Sequence, residues 1–286
     1  MIRPRSAPTP ADVAAHYDTL DPFYREIWGE HVHHGYWRTG QETPENAAAA
    51  LVDLVAARLD LRPGQEVCDI GCGYGATAQA LAEAHGVAVT GVTLSAAQHA
   101  RAARRVAARG ALAFERRDWL ANGFPAASFD RAYAIESTEH MDDKARCFAE
   151  AFRTLRPGGR LVVCAWLAGR APRPWQVRHL LEPICREGRL PGLGDEAEYV
   201  DLLRKAGFAV PAVEDISGAV ARTWSVCVRR ALRGLATDVR YPRFLLRSGA
   251  RDRVFAVTLL RMPLAYRTGA MRYAVITATK SGRVAR

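Results

Sequence analysis

The chain has almost no lysine. Lys144, Lys205 and Lys280 are the three present, so 37 of the 40 basic residues are arginine. That bias, with the heavy use of alanine, follows GC-rich codon usage, and the formal charge of +10 therefore does not by itself imply an anionic partner. No basic run is interleaved with aromatics, and no zinc-finger or RNP-like pattern occurs, which sets nucleic acid aside as a partner. A C-x-x-C pair is also missing. The six cysteines (Cys68, Cys72, Cys147, Cys164, Cys185, Cys227) are scattered, several of them in apolar runs where a free thiol behaves as a small hydrophobe. No apolar run approaches the ~20 residues that span a bilayer, and the opening MIRPRSAPTP lacks the apolar stretch of a leader. These absences predict a reduced, cytoplasmic protein with no transmembrane segment, and they leave membrane-surface contact and self-association open.

What is present is a chain of 286 residues, 49% hydrophobic, enough for one large domain or one domain with an insertion. Two short helices are expected over 11–19 and 22–30, the second opened by Asp21 as N-cap and Pro22. A third starts at Thr43-Pro44-Glu45 and runs to about Leu59. Strand and helix then alternate. Val67–Ile70 reads as a strand and Ala76–His85 as a helix ended by Gly86. Val87–Val92 is a strand, and Ser95 caps a helix to Arg109. Leu112–Glu115 and Phe129–Ile135 are strands, Asp142 caps a helix through Leu155, and Arg160–Trp166 is a fifth strand. Residues 167–194 read as loop or short helix, 196–206 as helix, 210–216 as strand, 219–270 as helical and 273–279 as a closing strand. The expectation is an α/β, Rossmann-like, doubly wound and mostly parallel seven-stranded sheet. An N-terminal helical lid (1–60) precedes a core (61–170), and 171–286 completes the same domain with a helical insertion at 219–270.

The first strand and its turn read Val67-Cys68-Asp69-Ile70-Gly71-Cys72-Gly73-Tyr74-Gly75-Ala76. Glycines there let the backbone turn sharply and lie against a ligand at a helix N-terminus. Gly71, Gly73 and Ala76 also satisfy a dinucleotide fingerprint. Against that reading, Asp69 aims a carboxylate at the turn, which suits a ligand carrying an ammonium and a sulfonium better than a pyrophosphate. Thr93-Leu94 also stand where a nicotinamide dinucleotide site wants an acid.

The motif Asp69-x-Gly71-x-Gly73-x-Gly75, then Gly91-Val92-Thr93-Leu94-Ser95 with Gln98, Arg117-Asp118-Trp119, Phe129-Asp130 and Pro157-Gly158-Gly159 resembles the class I S-adenosylmethionine-dependent methyltransferases. The segments 27–37, Glu136–Met141 and Tyr273–Lys280 are similar to the tocopherol C-methyltransferase-like group, which is related to sterol, prenyl-diphosphate and alkaloid methyltransferases. The resemblance implies S-adenosylmethionine as cofactor and S-adenosylhomocysteine as product. It places Asp69, Gly71, Gly73 and Gly75 at the methionine and ribose, and Thr93, Leu94 and Gln98 at the ribose and adenine. Asp118 and Trp119 would then meet the adenine ring.

Methyl transfer needs a nucleophile held in line, water excluded and, for some acceptors, a proton removed. Glu136 follows the fourth strand, where ligands bind in such sheets, and is the expected catalytic carboxylate, with a helix-capping role as the alternative. His140 is the expected base because an imidazole titrates near neutrality. His31, His33 and His34 invite a metal, but no carboxylate or cysteine lies at ligand spacing in a regular element, so none is expected. Tyr17, His33, Tyr36, Trp37, Trp166 and Trp224 are candidates for substrate contact, each with core packing as its alternative. The insertion mixes Trp224, Val226, Leu232, Leu235, Phe244, Leu245 and Leu246 with arginines, which suits amphipathic packing or a lipophilic acceptor pocket with arginines at its mouth. The sequence thus points to a methyltransferase of small lipophilic natural products, with carbon methylation of an aromatic or isoprenoid acceptor foremost. N- or O-methylation of an alkaloid-like metabolite, and methylation followed by cyclisation, are the alternatives.

Overall fold

The computed structural model describes residues 1–247 and 250–282, without the side chains of residue 22, residues 244, 245 and 247 and residues 250–256. The seven strands are β1 (Glu66–Ile70), β2 (Ala88–Thr93), β3 (Ala111–Arg116), β4 (Phe129–Ile135), β5 (Leu155–Ala168), β6 (Ala212–Asp215) and β7 (Met271–Thr279). They form one sheet in the order β3-β2-β1-β4-β5-β7-β6. The pairs from β3 to β5 are parallel, and β7 runs antiparallel between β5 and β6. The order reverses beside β1, so the crevice at the carboxyl ends of β1 and β4 is where a ligand sits in an open α/β sheet.

The flanking helices are α1 (Pro10–Trp28), α2 (Pro44–Leu59), α3 (Ala76–His85), α4 (Ala96–Ala102), α5 (Lys144–Thr154), α6 (Pro174–Gln176), α7 (Glu182–Glu187), α8 (Glu196–Lys205), α9 (Ser217–Val220), α10 (Arg222–Thr237), α11 (Arg240–Arg247) and α12 (Ala250–Arg267). On one face of the sheet Phe148, Tyr199, Leu203 and Phe208 bury against β4 and β5. On the other, Leu51, Val55, Leu59 and Leu81 from α2 and α3 do so. A third cluster, with Leu181, Ile184, Trp224 and Met262, binds α7, α10 and α12 together at the carboxyl edge. All six cysteines are buried free thiols.

Several boundaries depart from expectation. The two expected N-terminal helices are one, continuous through Pro22. Asp21 does not cap: its carboxylate accepts the Tyr74 hydroxyl (2.8 Å) and pairs with Arg25 (3.2 Å) and Arg101 (3.3 Å), so there is no break for Pro22 to open. The Ser95-capped helix stops at Ala102 instead of Arg109. Beyond it, Arg105 turns back to donate to the Tyr74 carbonyl (2.5 Å) and Gln79 Oε1 (2.8 Å). The cap of α5 is Asp143, not Asp142. Within 167–194 the chain is helical from Pro174 to Glu187, including a π-helical turn at Val177–Leu181. The Phe244 and Leu245 side chains lie outside the described residues. Among the described residues, no helix is long and apolar enough to cross a membrane.

Candidate active site

The turn after β1 carries Gly71, Gly73 and Gly75, all at positive φ, and opens α3. At Gly71 (φ +86) an added Cβ would collide with the Ser137 side chain, so glycine is needed where the β1 and β4 turns touch. Three clefts with shared walls lie at this edge of the sheet. The first, about 850 Å³, is lined by Gly71 and Gly73, by Thr93 at the end of β2 with Leu94 and Gln98 beyond it, and by Asp118 and Trp119 after β3. A second, about 350 Å³, continues past Gly71 and Gly73 to Asp69, His31 and His33. The third, about 550 Å³, is a chamber walled by Tyr17, Tyr24, Trp28, Trp166 and Trp224, with Thr258 of α12. Tyr17, Val32, Glu136 and His140 border both the first cleft and this chamber.

The first two clefts fit a donor with an ammonium end, a ribose and an adenine. Asp69 is buried beside Tyr133, and burial pushes its carboxyl up to about 7, against the Tyr133 hydroxyl acting the other way. A buried carboxyl with no cation is matched by an ammonium. Thr93 Oγ1 donates to Gln98 Oε1 (2.8 Å), presenting a buried hydroxyl–amide pair. Trp119 is fixed by its indole N–H on the Cys147 carbonyl (3.1 Å), and Asp118 accepts from the Leu120 N–H (2.9 Å).

On the acceptor side Glu136 is the convergence point. It sits at φ +53, a strained conformation for a non-glycine residue, and its carboxylate accepts four donors. Oε1 takes the His34 backbone N–H (2.7 Å), His34 Nδ1 (3.0 Å) and the Tyr273 hydroxyl (2.9 Å), and Oε2 takes the Trp166 indole (2.9 Å). Burial alone would raise its pKa, but the His34 and His33 rings and the His34 N–H hold it below the ordinary value, so it is an anion. The Trp224 indole, a donor only, meets His34 Nε2 (2.7 Å), so the His34 proton is on Nδ1 and points at Glu136. His140 is oriented similarly. Its Nδ1 faces the Arg189 carbonyl (3.3 Å), which can only accept, leaving the Nε2 lone pair for the Tyr17 hydroxyl (2.9 Å). Burial, reinforced by Lys144, lowers His140 to about 4, with the Arg189 carbonyl and Glu136 opposing. The near-neutral titration expected of it is therefore absent, and it is an unprotonated base at neutral pH. Glu139, also buried, is pushed up by burial and by the Glu136 charge, while the Trp166 N–H and Lys144 work against that.

Some sequence expectations fall elsewhere. His33 borders the Asp69 cleft, not the chamber, with its ring on the His34 carbonyl (2.8 Å) and near Thr77 (3.4 Å). Tyr36 packs against the α2–α3 face of the core, and Trp37 is buried with Ala47 and Val226, its indole on Thr223 (3.1 Å). Neither borders the three clefts, so packing is what their positions serve. Gly75 does not border them either. It starts α3 in a left-handed conformation, and a Cβ there would meet the Phe114 ring at 2.7 Å. Tyr17, Trp166 and Trp224 do line the chamber. Sequence reasoning missed His34 as the Glu136 partner, though its place in a His-rich stretch was a signal. Tyr24 and Thr258 carry no sequence signal at all, because only the packing of α1 and α12 brings them in.

A family model described as mycolic acid cyclopropane synthetase matches residues 5–232. The chain belongs to that family. It is an S-adenosylmethionine-dependent methyltransferase, of the type that modifies natural products and lipids. It is 35% identical over 227 residues to 27-O-demethylrifamycin SV methyltransferase of Amycolatopsis mediterranei (strain S699), covering 78% of this chain and 83% of that one. It is 31% identical over 292 residues to the chloroplastic tocopherol O-methyltransferase of Arabidopsis thaliana, covering 94% and 81%. Among solved structures, the cyclase SpnF superposes with a TM-score of 0.81 at 28% identity, over 98% of this chain and 99% of that one.

Proposed function

We propose that the enzyme methylates a hydroxyl oxygen of a rigid, lipophilic natural product, with His140 as the base. The observation that carries this is the Tyr17 hydroxyl bonded to the His140 Nε2 lone pair, with Nδ1 fixed on the Arg189 carbonyl, at the junction of the donor cleft and the aromatic chamber. The donor supplies an electrophilic methyl on a sulfonium. On the protein side, Asp69 receives the ammonium, Thr93 and Gln98 the ribose, and Asp118 and Trp119 the adenine. The aromatic walls of the chamber take the apolar body of the acceptor and exclude water. The acceptor hydroxyl gives its proton to Tyr17, which passes its own to His140 Nε2, as the new C–O bond forms and the bond from the methyl to sulfur breaks; the imidazole is unprotonated at neutral pH and so can end that relay. The rifamycin and tocopherol relatives are themselves named for methylation at oxygen, which supports the same reading.

Carbon methylation has its own support in the Glu136 carboxylate. It is held anionic behind Trp166 and His34, close to aromatic faces that favour a cation, as methylation of a ring or alkene carbon would create. Offering the enzyme and isotopically labelled donor to an organic extract, followed by NMR of the labelled product, separates the two. Methyl on oxygen, with turnover lost in His140→Ala, supports the first reading. Methyl on carbon overturns it.

A further inference from the structure

We infer that the outer face of the helical insertion docks on an anionic lipid bilayer, with the acceptor chamber immediately behind it. The basic charge of the chain is concentrated here. Residues 222–267 hold eleven arginines and two acids, a net +9 in a chain of net +10. Arg229, Arg233, Arg243 and Arg267 are exposed and have no acidic partner among the described residues. Large apolar side chains are exposed on the same helices: Leu232 (59% exposed) and Val239 (56%) on or beside α10, and Val257, Leu260 (65%) and Leu264 on α12. Val257, Leu260 and Leu264 recur at i, i+3 and i+7, a stripe on one side of α12 that the fold leaves uncovered. A solvated basic surface has no use for that stripe. Exposed leucines and arginines carried on the same helices match the boundary between headgroups and acyl chains.

The opposite side of the same two helices lines the site. Thr258, next in sequence to Val257, and Trp224 of α10 both wall the aromatic chamber. A bilayer against the outer face would therefore lie one helix thickness from the place where a lipophilic acceptor is methylated.

Flotation of the full chain with extruded vesicles tests this without turnover. One set is phosphatidylcholine alone and the other is phosphatidylcholine mixed with phosphatidylglycerol. The expected result is co-flotation with the anionic vesicles only, weakening as salt is raised. Arg229→Gln with Arg233→Gln should lower partitioning roughly 25-fold, at about fivefold for each basic residue near an anionic surface. Leu260→Asp with Leu264→Asp should abolish flotation while leaving S-adenosylhomocysteine's protection against heat unchanged, which shows the fold intact. No flotation with either vesicle set overturns the inference, as does flotation unaffected by the leucine pair. Retention of an acidic carrier protein in the absence of vesicle binding would assign the face to a protein partner and overturn it too.

Discussion

The donor cleft and the acceptor chamber share Tyr17, Val32, Glu136 and His140 but are built on different plans. Apart from the α1 residues that cover it, the donor cleft is made of short turns after consecutive parallel strands, where backbone conformation, glycine and helix starts decide the shape. The chamber is made of side chains gathered from α1, the β4 and β5 ends, α7, α10 and α12, and it is held by a hydrogen-bond web centred on Glu136. The contrast teaches that one half is specified locally and tolerates little backbone change, while the other depends on distant elements meeting.

The sharpest break of that contrast is His140→Ala. It should cut kcat by about 10²–10⁴ while leaving donor affinity unchanged, measured by single-turnover rates beside calorimetric titration. The wild-type acid limb of kcat should fall near pH 4, where burial has put this imidazole, and not near 6.5. Next is Glu136→Gln. The amide cannot accept all four donors and leaves part of the web buried and unpaired, at about 1–3 kcal/mol of stability. Turnover should drop strongly with donor affinity nearly unchanged, and an unaltered rate removes Glu136 from the chemistry.

The donor side is sharpened by Asp69. Its carboxyl titrates at about 7 in the free protein, and an ammonium partner favours the anion. S-adenosylhomocysteine affinity should therefore weaken as pH falls through about 7, by up to about tenfold per unit, and Asp69→Asn should bind weakly with no such slope. In the free protein the sign is reversed: the fold prefers protonated Asp69, so its contribution to stability declines as pH rises from about 4 to about 7. The smallest effect is expected from Trp37→Phe, which removes the bond to Thr223. It should lower stability by about 1 kcal/mol in a denaturant titration and leave kcat and KM alone.

The same division explains what could be read beforehand. Thr43, Gly86 and the strands β1 to β4 follow from caps, turn residues and apolar runs within a few positions, and so did the placing of Asp69, Gly71, Thr93 and Asp118 along one sheet edge. The break anticipated at Asp21-Pro22 failed because Asp21 is engaged by Tyr74 and Arg101, partners more than fifty positions away. Tyr36 and Trp37 looked like site residues beside His34, yet they turn into the core on Ala47 and Thr223. The role of His34 itself needed Trp224, which packing alone brings to it.

The antiparallel pairing of β6 with β7 has an evolutionary consequence. Asp215 and Ala274 are register partners, so the stretch between them leaves and re-enters the sheet at neighbouring points, however long it becomes. The helices α9 to α12 amount to one enlarged hairpin loop, a graftable cassette whose exchange need not disturb any parallel crossover. The family model ends at residue 232, inside that cassette. Rewriting that one contiguous block of gene would change the Trp224 and Thr258 walls of the chamber while leaving its walls from α1, β4, β5 and α7, and the donor cleft, in place.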